Sequence, residues 1–110
     1  IYTLDKHGKL NERLRHPKKI YAGDVGIRNL ITGYRDKGAI FENLVYLKLK
    51  SKNPCYVYEG GNEIDFITKD ETLIEVKYHS VLNDNQQKLF DTYPAKKRTV
   101  IDCAKAFMAL

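Results

Sequence analysis

The sequence predicts an α/β domain: a mixed sheet in α-β-β-β-α-β order from residue 36 onward, preceded by a β-hairpin and a short helix. Three observations predict it. Apolar residues recur at helical spacing through "YRDKGAIFENLVYLKLKSKN". Three strand-like runs, "CYVYE", "EIDFIT" and "TLIEVKY", are separated by the breaks "GGN" and "KDE". A polar helix and one more apolar run then close the order.

Taken in order, "IYTL" and "KKIYAGD" are β-prone runs around a basic segment containing "KHGK" and "RLRHPKK", and they can pair as a hairpin. "VGIRNLI" predicts a short helix ending near Gly33. In the main helix Ile40, Phe41, Leu44, Val45 and Leu47 carry the apolar spacing. "NDNQQKLFDTY" reads as a helix capped by Asn83 or Asp84, and "RTVIDCA" as the last strand. There is no internal repeat, low-complexity tract or evident linker.

The 110 residues, 43% hydrophobic, fit one domain with its own core. No apolar run is long enough to cross a bilayer and no secretory leader is evident, so a membrane role is not expected. The start at Ile1 suggests a soluble, cytoplasmic piece of a longer protein. Cys55 and Cys103 lack metal-ligand spacing and are expected to be buried free thiols.

The net charge of +5 is unevenly spread. Residues 1–50 hold eleven Lys or Arg against five acids, a net of +6, whereas residues 59–75 hold six acids against one lysine, a net of −5. An acidic patch on a basic molecule suits a site where a cation is held to meet a polyanion. A basic protein with one solvated acidic hairpin is the competing reading.

Strand alternation gives that patch a geometry. Ile64 and Phe66 are expected to share one face, and Glu63, Asp65 and Ile67 the other; Ile74, Val76 and Tyr78 then lie opposite Leu73, Glu75 and Lys77. A three-residue loop, Lys69-Asp70-Glu71, pairs Ile67 with Leu73, Phe66 with Ile74 and Asp65 with Glu75. Two carboxylates directly across strands, with Cβ atoms about 4.5–5.5 Å apart, repel one another and need compensation. Lys77 supplies part of it, and converging acids are also the usual oxygen site for Mg²⁺. Splayed, solvated acids, or a different loop register, would remove the site. On the helix, Glu42 falls among Val45, Leu49 and Tyr46 and away from Asn43 and Lys50, so it either points to the acids of the sheet or pairs with a Lys or Arg at the rim.

Glu42, Asp65 and the triplet Glu75-Val76-Lys77, in this element order over residues 36–103, resemble the PD-(D/E)xK nuclease superfamily and its restriction-endonuclease-like fold. More narrowly, "KKIYAGDVGIRNL", "FENLVYLKL", "EIDFI" and "LIEVKY" resemble the C-terminal domain of a family of prokaryotic AAA+ ATPases. The second resemblance spans nearly all of residues 1–110 and makes residues 1–35 the lead into the same domain. No P-loop sequence occurs in the chain.

The resemblance implies that Asp65 and Glu75 bind Mg²⁺ or Mn²⁺, that Glu42 completes the ligand set directly or through water, and that the Val76 carbonyl is a further ligand. It gives Lys77 the task of orienting the attacking water and offsetting phosphate charge. The implied partners are nucleic acid, DNA by the resemblance, and the ATPase module of the longer chain. The alternative is a non-catalytic DNA-binding or protein-interaction module that keeps the fold as scaffold. Ile64 stands where the superfamily's name has proline. Gln86 and Gln87 resemble the glutamine helix of some exonuclease branches, although an ordinary polar face suffices. His79 falls on the Glu75 and Lys77 face within reach of a phosphate, although a partly exposed strand-end histidine is the safer reading; His7 and His16 show no ligand spacing, and Tyr56, Tyr58 and Tyr78 suit sheet packing at least as well as base stacking.

Overall fold

The computed structural model describes residues 1–24, 37–102 and 104–110, so the helix expected in "VGIRNLI" and Cys103 lie outside the described residues. Strands β1 (Tyr2–Leu4) and β2 (Lys19–Tyr21) pair antiparallel, as the β-prone runs predicted. Their connection carries a six-residue helix, α1 (Leu10–Arg15), that the sequence reading treated as a polar segment. After it come α2 (Lys37–Leu49), a 3₁₀ turn (Lys50–Lys52), β3 (Cys55–Glu59), β4 (Asn62–Ile67), β5 (Thr72–Val76), α3 (Asp84–Thr92), β6 (Lys97–Ile101) and α4 (Ala104–Met108).

The four-stranded sheet runs β3-β4-β5-β6, antiparallel up to β5 and parallel between β5 and β6. The local chemistry accounts for the change of direction. Gly60 and Gly61, both at positive φ, make the tight turn that returns β3 as β4. Glu71, at φ 64°, closes the three-residue loop between β4 and β5. A parallel neighbour needs a longer crossover, which α3 supplies. Its start is fixed by a reciprocal cap: Asn83 Oδ1 accepts from the Gln86 backbone N–H, and Gln86 Oε1 accepts from that of Asn83. Gln86 therefore serves the helix end, and Gln87 bonds Asp91 one turn on.

Apolar side chains fill both faces of this sheet. Against α2 lie Phe66, Ile74 and Ile101 with Val45, Tyr46 and Leu49, joined by Leu4 and Tyr21 from the hairpin. Against α3 lie Val57, Ile64, Ile67 and Leu73 with Phe90. The hairpin also reaches the free side of β3: His7 N–H donates to the Tyr56 carbonyl and Tyr56 N–H to that of Asp5. A sheet edge that would otherwise present unpaired backbone groups is thereby covered.

Three expectations are corrected. Ile64 and Phe66 do not share a face, because the β3–β4 register shifts between Cys55↔Ile67 and Val57↔Ile64, placing both Asp65 and Phe66 against Tyr56 alone. On α2 the buried residues are Asn43, Val45, Tyr46 and Leu49, while Leu44 is exposed. Asn43 tolerates burial because its amide bonds the Ala22 N–H and carbonyl, each at 2.9 Å, and so clasps the hairpin to the helix. Third, β5 ends at Val76, not Tyr78; Lys77 N–H still donates to the Ile101 carbonyl, but His79 turns away at φ 55°. Cys55 is free and half-buried, with burial pushing its thiol up.

Asn43→Ala is expected to cost about 1–3 kcal/mol, since it orphans two backbone groups of Ala22. A lowered urea midpoint, together with faster amide exchange in β1 and β2 than in β4 and β5, would establish the clasp. An unchanged midpoint would refute it.

Candidate functional site

The β4–β5 loop sets the register Ile67↔Leu73 and Phe66↔Ile74, as its three-residue length predicted. Beyond Phe66 the ladder stops, so the expected Asp65↔Glu75 backbone pair is not formed. Asp65 N–H donates to Glu75 Oε1 at 3.1 Å, and Val76 N–H donates to Asp65 Oδ2 at 2.8 Å. Each carboxyl thus takes a backbone N–H from the opposite strand, where a regular ladder would offer a carbonyl. The bulge in β4 has a direct role here, because an extra residue re-aims the side chain beside it.

The two acids are deeply placed, with 8% of Asp65 and 2% of Glu75 exposed. Burial pushes the Asp65 carboxyl well up, the hydrogen bond with Glu75 and the charges of Glu42 and Glu75 add to this, and Lys19 opposes it. Lys77 Nζ lies 3.6 Å from Glu75 Oε2. Asp65, Glu75 and Lys77, singled out from the sequence, are therefore brought together. Val76 stands between Glu75 and Lys77 with its N–H committed to Asp65.

Glu42 lies on the adjoining side of Asp65. Its Oε2 accepts from Tyr21 Oη at 2.5 Å and from Lys19 Nζ at 3.1 Å. Lys19, which the sequence reading did not single out, also lies 3.0 Å from Glu63 Oε2 and 3.8 Å from Asp65 Oδ1. Burial alone would lower the Lys19 ammonium's pKa, but Glu42, Asp65 and Glu63 together raise it. The Tyr21 hydroxyl is likewise held protonated by burial and by Glu42. Its ring stacks on Tyr46 with centroids 4.4 Å apart, which fixes the direction of the hydroxyl. No spacing rule could have found Lys19, because its partners are 23 and 44 residues away along the chain.

The donor chemistry suits a hard divalent cation. Glu42, Glu63, Asp65 and Glu75 present four carboxyls and Lys19 and Lys77 two ammonium groups, which leaves 2 − 4 = −2 with all ionised. Mg²⁺ takes one or two carboxylates and retains waters, and carboxylates are the donor type that Asp65 and Glu75 present. Among the described residues no group of three or more His, Cys, Asp or Glu side chains is arranged to hold a metal ion. Glu42, bound to Lys19 and Tyr21, stands one ammonium group removed from the pair.

His79 is exposed and packs edge-on against Tyr78, while His7 Nδ1 meets the Tyr93 hydroxyl at 2.6 Å. Tyr56 is buried and Tyr58 and Tyr78 are exposed. Among the described residues no helix is long and apolar enough to cross a membrane. No protein-family model, curated protein or solved structure matches this chain.

Proposed function

We propose that residues 36–103 form a metal-dependent nuclease core of the PD-(D/E)xK kind acting on DNA phosphodiesters, carried as the C-terminal domain of an AAA+ ATPase. The observation that carries this reading is the Asp65–Glu75 pair. Two buried carboxyls are held at the point where β4 and β5 stop sharing backbone bonds, with Lys77 beside them. Bringing these charges together is costly for a scaffold, and a raised Asp65 pKa is a sign of that cost.

When bound, Mg²⁺ or Mn²⁺ would polarise the scissile phosphate and lower the pKa of a coordinated water. Asp65 and Glu75 would be its protein ligands, with the Val76 carbonyl as a further oxygen donor. The backbone N–H bonds that Asp65 and Glu75 accept fix the direction of each carboxyl before any ligand arrives. Lys77, held by Glu75, places a positive charge where a phosphate oxygen gains charge, and can orient the attacking water. Glu42 holds Lys19 and Tyr21 in place and can reach the metal only through water or after that contact opens.

A second reading has one observation in its favour. Lys19 already gives Glu42, Glu63 and Asp65 an internal cation, as a non-catalytic DNA-binding or protein-interaction module would need to keep the acids folded. Calorimetric titration with Mg²⁺ and Mn²⁺ separates the two. The nuclease reading expects saturable binding that is lost in Asp65→Asn, and metal-dependent cleavage of at least one member of a panel of single- and double-stranded nucleic acids. Wild-type protein that binds neither ion and cleaves nothing, alone or within the full-length ATPase, would leave the module reading in its place.

A further inference from the structure

We propose that a groove beside the Lys19–Glu63 salt bridge receives single-stranded nucleic acid, with bases on Tyr58 and His16 and phosphates on Lys18 and Arg15. The inference rests on the nuclease reading for its direction, because Lys19, which lines the first cavity, contacts Asp65 of that site. A cavity of about 300 Å³ runs from Lys19 and Glu63 past Lys18 to His16 and Tyr58. A second, of about 620 Å³, continues from His16 and Tyr58 to Arg15, His7 and Tyr93. The two adjoin at His16 and Tyr58, and Lys19 of the first lies 3.8 Å from Asp65.

The lining has the composition that binds an unpaired strand. The Tyr58 and His16 rings stand 5.5 Å apart between centroids, and Tyr58 is 41% exposed. Exposed π faces flanked by cations stack bases without regard to sequence. Two of the acids lining the cavities are already met by lysines, Glu12 by Lys6 at 3.4 Å and Glu63 by Lys19 at 3.0 Å, while Lys18 lies 3.6 Å from Asp5, a surface contact that a phosphate would replace. Glu59 also lines the wider cavity, whose cations are Arg15 and the Lys6 already held by Glu12. A duplex has its base faces stacked on one another and cannot use Tyr58. Cavities of about 300 and 620 Å³ are too small to enclose a double helix.

The test uses the 110-residue chain in EDTA, with labelled oligothymidylate, oligouridylate and a duplex of equal length followed by fluorescence anisotropy. Both single strands are expected to bind about tenfold or more tightly than the duplex, and Tyr58→Ala and His16→Ala each to weaken them by about tenfold. Tyr58→Phe, which keeps the ring, should retain wild-type affinity and shows that loss in the alanine variant is loss of stacking. Equal affinity for single strand and duplex would overturn the inference. So would wild-type binding by both alanine variants, or loss of binding in Tyr58→Phe. Because no metal is present, failure of the metal site leaves these readings untouched: absent Mn²⁺ binding with Tyr58-dependent strand affinity would remove the nuclease reading and keep the groove.

Discussion

Under the proposed nuclease reading, Glu75→Gln is expected to reduce metal-dependent cleavage by a factor of about 10²–10³, the loss typical when one group that stabilises transition-state charge is removed. The substitution keeps the side-chain volume, and the new amide oxygen can still accept from Asp65 N–H, as Glu75 Oε1 does at 3.1 Å. What disappears is the charge that would hold the metal and that now faces Lys77 at 3.6 Å. Lys77→Ala is expected to cost a similar factor for a different reason, by removing the cation near the phosphate. The two should part in metal-free binding. Without Glu75's charge a phosphate approaches with less repulsion, so affinity for nucleic acid holds or rises; without Lys77 it falls. Single-turnover cleavage, anisotropy in EDTA and a thermal melt on each variant give the comparison. Wild-type cleavage rates in folded Glu75→Gln protein would remove this residue from the chemistry.

Lys19→Met is expected to lower stability by about 2–3 kcal/mol while raising affinity for Mn²⁺. Breaking a fully buried ion pair by removing one partner costs about 3–5 kcal/mol, and the 23% exposure of the Lys19 side chain places it below that range. Methionine keeps most of the stem's length, while the ammonium it removes also lies 5.7 and 5.9 Å from the Tyr21 and Tyr56 ring centroids, so the loss reports charge. Glu42, Glu63 and Asp65 then face each other without their shared ammonium, and a divalent cation gains what that ammonium supplied. The expected results are a lower urea midpoint in EDTA, a larger recovery on adding Mn²⁺ than wild type shows, and a tighter calorimetric Kd. A variant as stable as wild type, with unchanged Mn²⁺ affinity, would show that Lys19 neither neutralises the cluster nor competes with metal there.

Much of the sheet was legible because its determinants are local. The Gly-Gly turn, the three-residue loop with its Phe66↔Ile74 register and the Asn83–Gln86 cap each depend on residues within a few positions of one another. Loop length also brings Asp65 towards Glu75 and Lys77, but the direction of the Asp65 side chain depends on the β4 bulge, which strand alternation did not foresee. The face of α2 was less legible. Hydrophobicity placed Leu44 inside and Asn43 outside, but burial there is decided by the Ala22 backbone, which needs Asn43's amide.

Sequence by itself determined an α/β chain with β3–β4–β5 as consecutive hairpins, a parallel return through α3, and two acids and a lysine at one place in the sheet. Tertiary structure alone decided the shift that sets Asp65 and Phe66 against Tyr56, since a register belongs to a pair of strands and neither strand encodes it separately. It also decided that the hairpin covers β3 and delivers Lys19 to Glu42, Glu63 and Asp65. Those carboxyls come from different elements, and the field they create at Lys19 exists only once packing has excluded water from between them.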